Sequence, residues 1–473
     1  MEKISVFDMF KIGIGPSSSH TLGPWRAAQR WLQELQQQID LQQVQAVEIH
    51  LYGSLALTGK GHGTDLAVML GLSGQDPVSI PISRVHEIKQ QIQKEHKLYL
   101  ADQHEINFNP DQHIILLGAE RLPEHANGMI FKAFTREKTI ESTYYSVGGG
   151  FVKKANEQPD TSDTVQLPYP SQNGEELLQH CQSRQMRISD MVWANEQSWR
   201  STEEVRSGLL QIWQVMLTSM YKGCYTEGTL AGGLNVKRRA AGMHRKLMGD
   251  LQFENSNDWL EEVKRRPNDF NAILKWIGCF AMAVNEENAS FGRIVTAPTN
   301  GAAGVIPAVL MYYICFSEEN VKEDDILNFL MVAGEIGTLF KKNATISAAM
   351  RGCQAEIGVS SAMAAAALTE CLGGSVEQAL MAAEIAMEHH LGLTCDPVGG
   401  LVQVPCIERN SMGAIKAITA SRLALDSNPA DACVSLDNII KTMWETAKDM
   451  SHKYKETSQG GLAVNISVKM PEC

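Results

Sequence analysis

The sequence changes character at a polar segment that contains three prolines, at residues 153–170. Pro159, Pro168 and Pro170 stand there among Asn, Gln, Asp, Ser and Thr, with few apolar residues. Such a segment adds little to a hydrophobic core, and its prolines interrupt helices and strands alike. We therefore interpret residues 153–170 as a linker that divides the chain into domains at 1–152 and 171–473.

Before the linker, short runs alternate between apolar and polar residues, as at Val47, Ile49 and Leu51. Alternation of this kind is typical of strands with one buried face. Two further runs, at 129–134 and 140–147, are separated by a short polar stretch, which predicts a hairpin. Residues 1–152 are therefore predicted to form a small α+β domain.

After the linker, strand patterns almost disappear and helical spacing dominates. It extends over residues 205–221, 270–284, 305–316, 326–340, 357–372 and 376–390. The alanines at 362–367 predict a helix buried on all sides, because small side chains let neighbouring helices approach closely. The predicted fold class is multidomain, with a small α+β N-terminal domain joined to a mostly α-helical C-terminal domain.

The charge of the chain excludes several classes of partner. Its 42 lysines and arginines and 54 aspartates and glutamates give a net charge of −12. A surface of this sign opposes binding to nucleic acid and to anionic lipid. Lys3, Asp8 and Lys11 leave no apolar stretch of secretory length near Met1, so we expect a cytoplasmic protein without structural disulfides.

One uncharged stretch, residues 294–317, is long enough to span a bilayer. Pro298, Asn300 and Pro307 interrupt it, and its flanks lack the basic and aromatic residues that border a membrane span. We interpret the stretch as a buried helix that is entered through a polar turn, and we expect no membrane association.

Ten cysteines are the unusual part of the composition. Cys353, Cys395 and Cys406 lie beside glycines and prolines, where free backbone amides can hydrogen-bond thiolate sulfurs, as they do around iron–sulfur clusters. No CxxC pair occurs, which excludes a zinc finger and a thioredoxin motif. Spacing alone leaves a cluster and ordinary packing both open. Cys473, at the end of an apolar tail, fits either an accidental terminal residue or an internal role.

A first polar turn, GPSSSHT at residues 15–21, precedes a helix that begins near Pro24. Ser17, Ser18 and Ser19 stand beside His20 there. Hydroxyls and backbone amides at a helix entry suit a carboxylate or phosphate, whereas a helix cap needs only one hydroxyl. Ligand binding and simple capping both remain open for this turn.

A second turn, GSLALTGKGHGTD at residues 53–65, resembles a phosphate-binding Walker loop but has the wrong glycine spacing and no Ser or Thr after its lysine. We interpret residues 53–65 as a flexible turn that holds Lys60 and His62 between glycines, with the imidazole available as a base. A plain surface loop is the alternative.

A third turn, TAPTNGAAG at residues 296–304, opens the uncharged helix with Thr299 and Asn300. Polar groups are costly to bury unless something bonds them. A substrate carboxylate and internal capping are the two solutions that the sequence allows.

Six motifs in this order carry a resemblance to a known family. They are the three turns, RGCQAEIGVSSAMAAAAL at 351–368, TCDPVGGLVQVPCIERN at 394–410 and the terminal Cys473. Essentially from end to end, the chain resembles the bacterial single-chain L-serine dehydratases (L-serine ammonia-lyases) that use an iron–sulfur cluster.

The resemblance implies a four-iron, four-sulfur cluster as cofactor, with Cys353, Cys395 and Cys406 as ligands. One iron then stays open to act as a Lewis acid on the substrate. The resemblance further implies that Cys473 covers this iron at rest and that serine displaces it. It also implies a homodimer that serves amino-acid catabolism and gluconeogenesis, and an N-terminal domain similar to allosteric serine-binding modules.

The implied reaction converts L-serine to pyruvate and ammonia, with a histidine as base. His62 is the first candidate for this base and His20 the second. The implied substrate-binding residues come from all three turns, so the active site is expected between the two domains. These residues are Ser17, Ser18, Ser19, Lys60, Thr64, Thr299 and Asn300.

Three other functions compete with this interpretation. A related four-iron, four-sulfur hydro-lyase could act on another hydroxy acid. A pyridoxal phosphate dehydratase could use Lys60 as its Schiff-base lysine. A metabolite-sensing regulator could use the cluster as an oxygen switch, although the sequence has no basic helix suited to reading DNA.

Overall fold

The computed structural model describes residues 2–157, 165–317 and 320–466. It confirms the predicted fold class, because a sheet-containing α+β domain precedes a mostly helical domain. Part of the predicted linker, residues 158–164, and the predicted cluster ligand Cys473 lie outside the described residues.

The chain begins with an arm formed by helix α1 (Val6–Met9) and strand β1 (Ile12–Ile14). The apolar side chains of residues 4–12 pack in the core of the helical domain, although they precede the α+β domain in the chain. The buried carboxylate of Glu196 holds this arm, because it accepts hydrogen bonds from the Ser5 hydroxyl and the Val6 amide, both at 2.8 Å.

The strands of the α+β domain form a five-stranded sheet in the order β5-β2-β6-β7-β8 and a separate hairpin of β3 and β4. They are β2 (Ala46–Tyr52), β3 (Lys97–Leu100), β4 (His104–Asn107), β5 (Ile114–Leu117), β6 (Gly128–Phe134), β7 (Thr139–Ser146) and β8 (Val152–Lys154). Only the β2 and β5 neighbours in the large sheet run parallel. Burial alternates along β2, with Val47, Ile49 and Leu51 inside, and β6 and β7 form the predicted hairpin.

The helices of this domain cover the sheet or border the second turn. They are α2 (Gly23–Gln38), α3 (Gly53–Leu57), α4 (Gly59–His62), α5 (Thr64–Leu72), α6 (Ile82–Glu95) and α7 (Pro110–His113). Helix α2 packs on the sheet, where the Trp31 ring stacks on Phe131 with centroids 5.3 Å apart.

The prediction of a flexible turn at residues 53–65 is wrong, since three short helices occupy it. Gly53 and Gly63 have positive φ angles of 51° and 63°, and the left-handed conformation of Gly63 separates α4 from α5. Burial of Ser54, Leu55 and Thr58 explains the order, because these side chains pack inside rather than facing solvent.

The second domain consists of helices and one short strand. The helices are α8 (Gly174–Arg184), α9 (Ile188–Glu196), α10 (Thr202–Tyr225), α11 (Ala240–Met248), α12 (Ser256–Lys264), α13 (Phe270–Ala289), α14 (Val305–Phe316), α15 (Glu323–Asn343), α16 (Ala348–Arg351), α17 (Ile357–Cys371), α18 (Val376–Glu388), α19 (Cys406–Leu425), α20 (Leu436–Asp449) and α21 (Leu462–Asn465). All six predicted helical stretches are present. Helix α17 is central and contacts α14, α15, α18 and α19, so its alanines at 362–367 are fully buried, as predicted.

The uncharged stretch at 294–317 contains the 12-residue helix α14. At about 1.5 Å per residue such a helix is roughly 18 Å long, well short of the roughly 30 Å of a bilayer core. Within residues 2–157, 165–317 and 320–466, no helix is both long and apolar enough to cross a membrane.

Strand β9 (Arg293–Val295) of the helical domain pairs antiparallel with β1 of the arm. Ile12 lies opposite Val295. The first polar turn follows β1 and the third follows β9, and the Lys11 amide donates to the Thr296 hydroxyl at 2.9 Å where the third turn begins. This two-stranded sheet therefore brings together turns that lie far apart in the sequence.

Candidate active site

Two buried turns of the α+β domain bring His20 and His62 face to face, with ring centroids 4.6 Å apart. Two reciprocal hydrogen bonds tie the turns. The Thr21 hydroxyl donates to the His62 carbonyl at 2.7 Å, and the Thr64 hydroxyl donates to the His20 carbonyl at 2.6 Å. The two histidines are therefore fixed relative to each other. The Thr64 hydroxyl, which was predicted to bind substrate, makes one of the two hydrogen bonds that fix them.

The hydrogen bonds of His62 define its tautomer. Nδ1 lies 2.9 Å from the Thr58 carbonyl oxygen, which can only accept, so Nδ1 carries the proton. Nε2 is then an unprotonated nitrogen, and it is buried without a hydrogen-bond partner in the described part of the chain. Burial lowers the pKa of His62 to about 4. At neutral pH the ring is uncharged and its free lone pair can accept a proton.

Both nitrogens of His20 are occupied. The Ser54 hydroxyl donates to the Glu456 carbonyl at 3.0 Å, so it accepts from His20 Nε2, also at 3.0 Å. Nδ1 then accepts from the Ser19 hydroxyl at 2.8 Å. Burial lowers the pKa of His20 well below its usual value.

The structure brings Ser17, Ser18 and Ser19 into the buried turn that carries His20. The Ser17 hydroxyl accepts from the His20 amide at 3.1 Å and lies 3.2 Å from the Ser19 hydroxyl. Ser17 therefore caps the helical turn that begins at Ser18. Its hydroxyl contacts the Ser19 hydroxyl, which in turn is hydrogen-bonded to the His20 imidazole.

The third turn is attached to the first through Asn288 at the end of α13. The Asn288 side-chain amide donates to the Pro16 carbonyl at 2.8 Å and accepts from the Asn300 amide at 3.1 Å. Asn300 Oδ1 has no hydrogen-bond partner among the described residues, and neither Thr299 nor Asn300 is exposed. The predicted residues of both turns thus meet at one place, with a free amide oxygen.

The third turn is also attached to helix α19. Asn410 donates to the Gly301 carbonyl at 2.7 Å and accepts from the Gly304 amide at 3.0 Å. The same side chain donates to the carbonyl of Cys406, the first residue of α19, at 2.9 Å. Asn410 therefore holds the third turn beside a predicted cluster ligand.

Cys353, Cys395 and Cys406 lie in three separate segments of the helical domain, the last of them at the start of α19, and all three are buried. The Sγ atoms of Cys353 and Cys395 and a carboxylate oxygen of Glu356 lie within 4.8 Å of one another. Cys406 lies outside this group. Burial raises the pKa of its thiol, and the nearby charge of Cys353 raises it further. Two of the three predicted thiols, with Glu356, therefore form a group that could hold a metal.

An arginine stands next to these thiols. Arg409, on the first turn of α19, donates to the Thr394 carbonyl at 2.6 Å and to the Asp396 carboxylate at 3.1 Å. Although burial opposes its charge, the three cysteines raise the pKa of Arg409. A fixed positive charge here favours the thiolate forms that metal binding requires.

Two glutamates also face this region, the half-buried Glu356 and the buried Glu456, and neither was predicted from the sequence. Burial raises the pKa of Glu356 to about 7 and raises that of Glu456 well above its usual value. Glu356 belongs to the motif at 351–368 that carries the family resemblance, so the sequence could have indicated it as a site residue. Glu456 lies in a polar segment, KETSQGG, that has no periodicity and no motif.

The segment around Glu456 lies between the two domains. Cys395 and Lys455 pair as a short parallel bridge, in which the Glu456 amide donates to the Cys395 carbonyl at 2.8 Å. Glu456 Oε1 lies 3.5 Å from His20 Nδ1 and 3.9 Å from His62 Nε2. The predicted interdomain site therefore contains both histidines and the cysteine group, with Glu456 between them.

Among the predicted site residues that the structure describes, Lys60 does not enter this buried centre. Its side chain is exposed and lines a cleft between the domains of about 380 Å³. The same cleft is bordered by Gly61, Lys89, Gly232 and Gln403. Lys60 therefore lies at the mouth of the interdomain region.

Buried polar atoms without partners indicate where a ligand fits, because such atoms are costly in a folded protein. Among the described residues they include His62 Nε2, Asn300 Oδ1 and Glu456 Oε2. The donor set next to them consists of buried thiols with a nearby guanidinium. Thiolates that are shielded from water suit an iron–sulfur cluster, so the residues present are compatible with the implied cofactor.

Two family models match successive parts of the chain. Residues 5–157 match the family model of the serine dehydratase beta chain, and residues 183–463 match that of the serine dehydratase alpha chain. The L-serine dehydratase of Streptomyces coelicolor is 50% identical over 470 residues, which cover 98% of this chain and 99% of that protein.

Two further relatives come from other bacteria. L-serine dehydratase 1 of Escherichia coli is 46% identical over 466 residues, or 98% of this chain and 99% of that protein. The L-serine dehydratase of Helicobacter pylori is 43% identical over 472 residues, or 98% of this chain and 100% of that protein. Since both family models match within one polypeptide and this identity extends over its length, the chain belongs to the serine dehydratase family.

Proposed function

We propose that the protein is an L-serine ammonia-lyase that converts L-serine to pyruvate and ammonia at the interface of its two domains. One observation carries the proposal: His62 Nε2, which has no partner among the described residues, lies 3.9 Å from the carboxylate of Glu456, and the backbone of Glu456 is bonded to Cys395. Elimination needs a base at one carbon of the substrate and activation of the leaving group at the next. A free imidazole nitrogen opposite a metal-binding group supplies both.

Cys353, Cys395 and Cys406 would hold a four-iron, four-sulfur cluster, with Cys473 as its fourth ligand at rest. When bound, the cluster supplies a Lewis acid that activates the β-hydroxyl of serine as a leaving group. Arg409 stabilises the thiolates, and Glu356 borders them.

His62 acts as the base in this proposal. The Thr58 carbonyl holds the Nδ1 proton and so directs the Nε2 lone pair into the site. Nε2 takes the α-proton of serine, and the electron pair of the broken C–H bond forms the double bond to the β-carbon as the hydroxyl leaves. The aminoacrylate released then tautomerises and is hydrolysed to pyruvate and ammonia.

The substrate carboxylate is held by the first and third turns. Ser18 and Thr299 supply hydroxyl donors. Ser19 and Asn300, whose donors are engaged with His20 and Asn288, border the carboxylate, and Ser17 shapes the turn through its bond to the His20 amide. Lys60 at the cleft mouth attracts the carboxylate before it enters. Because the histidines and the cysteines come from different domains, domain closure gates the reaction.

The test is to purify the protein without oxygen and measure iron content and visible absorption before and after adding L-serine. Pyruvate release is then compared for L-serine, L-threonine and D-serine. We expect bound iron, an absorption change with L-serine and a preference for L-serine. A colourless, metal-free protein that pyridoxal phosphate activates would overturn the proposal.

The proposal also includes a cytoplasmic homodimer and, in residues 1–152, a domain that binds serine allosterically. Light scattering on the purified protein measures the oligomeric state. Sigmoidal dependence of the rate on L-serine concentration is the expected sign of allosteric binding.

A further inference from the structure

Glu456 is a buried carboxylate without a compensating positive charge. Its side chain is 5% exposed, and Oε2 has no hydrogen-bond partner in the part of the chain that the structure describes. A buried carboxylate is unfavourable unless it is paired with a cation or fully hydrogen-bonded. Burial raises the pKa of Glu456, so its ionised form is stable only beside a cation, and no described residue supplies one.

The neighbouring side chains cannot serve as this partner. His62 donates its only proton to the Thr58 carbonyl, and the nearer nitrogen of His20 accepts from the Ser19 hydroxyl. Both imidazoles are therefore neutral, and neither presents an N–H to the carboxylate. Within the described ranges, no lysine or arginine forms an ion pair with Glu456.

We propose that Glu456 binds the α-ammonium group of the substrate and thereby selects an α-amino acid over an α-hydroxy acid. This inference rests on the proposed function. The base takes a proton from the same carbon that carries the ammonium group, so the group that binds the ammonium must lie beside the base. Glu456 Oε1, 3.9 Å from His62 Nε2, meets this condition.

Glu356, the half-buried second glutamate of the site, does not meet the condition. Its Oε2 lies 4.0 Å from the Cys353 sulfur, within the group that could hold a metal. A Cβ added to Gly301 would lie 2.8 Å from the same oxygen, so this carboxylate packs against the third turn. Glu356 therefore faces the thiols and the third turn, whereas Glu456 faces the histidines.

The backbone of Glu456 is held from both domains. Its amide donates to the Cys395 carbonyl of the helical domain at 2.8 Å, and its carbonyl accepts from the Ser54 hydroxyl of the α+β domain at 3.0 Å. Its φ of 55° is uncommon for a residue other than glycine and persists only where the surroundings impose it. The carboxylate is therefore presented in a fixed position before substrate arrives.

The experiment compares two ligands that cannot eliminate water, because neither has a β-hydroxyl. L-Alanine carries the α-ammonium group, and L-lactate has a hydroxyl in its place. Their dissociation constants are measured by calorimetry on the anaerobic holoenzyme, for the wild type, Glu456→Gln and Glu456→Asp. Glu384→Gln is the matched control, since Glu384 is also a buried glutamate with an unpartnered oxygen, on α18 away from the site.

We expect wild type and Glu384→Gln to bind L-alanine more tightly than L-lactate. Glu456→Gln should weaken L-alanine binding about 10- to 100-fold, as expected for a charge-assisted hydrogen bond, and leave L-lactate binding within about threefold. Glu456→Asp should keep part of the preference because it keeps the charge. Iron content and visible absorption should be those of the wild type in all three variants.

Three results would overturn the inference. They are equal binding of the two ligands by the wild type, an undiminished preference in Glu456→Gln, and loss of iron in Glu456→Gln, which would make the carboxylate a part of the metal site. Failure of the proposed function is a separate result, because it appears as a wild type that releases no pyruvate from L-serine.

Discussion

Replacing His62 by glutamine tests the assignment of the base. The structure leaves one basic nitrogen free in the site, His62 Nε2, and glutamine has no group that can take the α-proton. Loss of a general base lowers kcat about 10²- to 10⁴-fold, which corresponds to a barrier increase of about 2.7 to 5.4 kcal/mol. Pyruvate release from L-serine by the anaerobic enzyme measures the effect, with iron absorption as the control for an intact site.

The pH dependence of the wild type sharpens this test. A base works in its neutral form, and burial lowers the pKa of His62 from about 6.5 to about 4. The neutral form therefore persists as the pH falls through 6.5, so kcat, which reports the groups of the enzyme–substrate complex, should keep its value down to about pH 5 and fall only near pH 4. An acid limb near pH 6.5 would contradict the buried, neutral histidine.

His20→Gln is the matched comparison. His20 has both nitrogens engaged, with Ser19 and Ser54, so its loss removes hydrogen bonds rather than the proton acceptor. One such bond contributes about 1 kcal/mol, so we expect kcat to fall about fivefold if one bond is lost and about 30-fold if both are. A larger loss of kcat in His20→Gln than in His62→Gln would refute the reasoning and make His20 the base.

Three further outcomes are expected. Cys353→Ser should lose bound iron and turnover together, whereas the exposed Cys433→Ser should keep both; an unchanged iron content in Cys353→Ser would argue against that ligand. Burial lowers the pKa of His244 to about 4, so the unfolded chain takes up its proton first as pH falls below 6.5. The wild type should therefore lose about 1.8 kcal/mol of unfolding free energy from this group between pH 7 and 5, and denaturant unfolding of His244→Gln should show a smaller decrease. In Gly61→Ala the new Cβ would lie 2.8 Å from the Gly400 carbonyl oxygen of the other domain, so KM for L-serine should rise at least about tenfold while the thermal unfolding temperature changes little.

Local patterns in the sequence were sufficient for the elements with strong periodicity. The alternation at Val47, Ile49 and Leu51 predicted β2, and the alanines at 362–367 predicted a helix that is buried on all sides. Both patterns record burial directly, since a side chain's place in the sequence determines which face of the element it occupies. The residues of the three polar turns were found for a different reason, because several polar groups next to glycine or proline exceed what capping needs.

The parts of the site that the sequence did not reveal depend on contacts between distant segments. Glu456 is positioned by the pairing of Lys455 with Cys395, and no local sequence pattern indicates this contact. The glycines of residues 53–65 suggested flexibility, but burial of Leu55 and its neighbours orders that segment into helices. Asn288 and Asn410 likewise look like ordinary helical residues, and only their hydrogen bonds to the turns distinguish them.

The pairing of β1 with β9 also orders the folding of the chain. The contact between Ile12 and Val295 closes a loop of more than half the chain, and contacts this distant in sequence form late, because the entropy of closing the loop is lost before any contact compensates it. During synthesis the α+β domain has all its strands once Lys154 has emerged, whereas the arm that precedes it has no partner until β9 appears. The first and third turns therefore cannot meet until both domains exist, so the protein acquires its catalytic centre as a late event of folding.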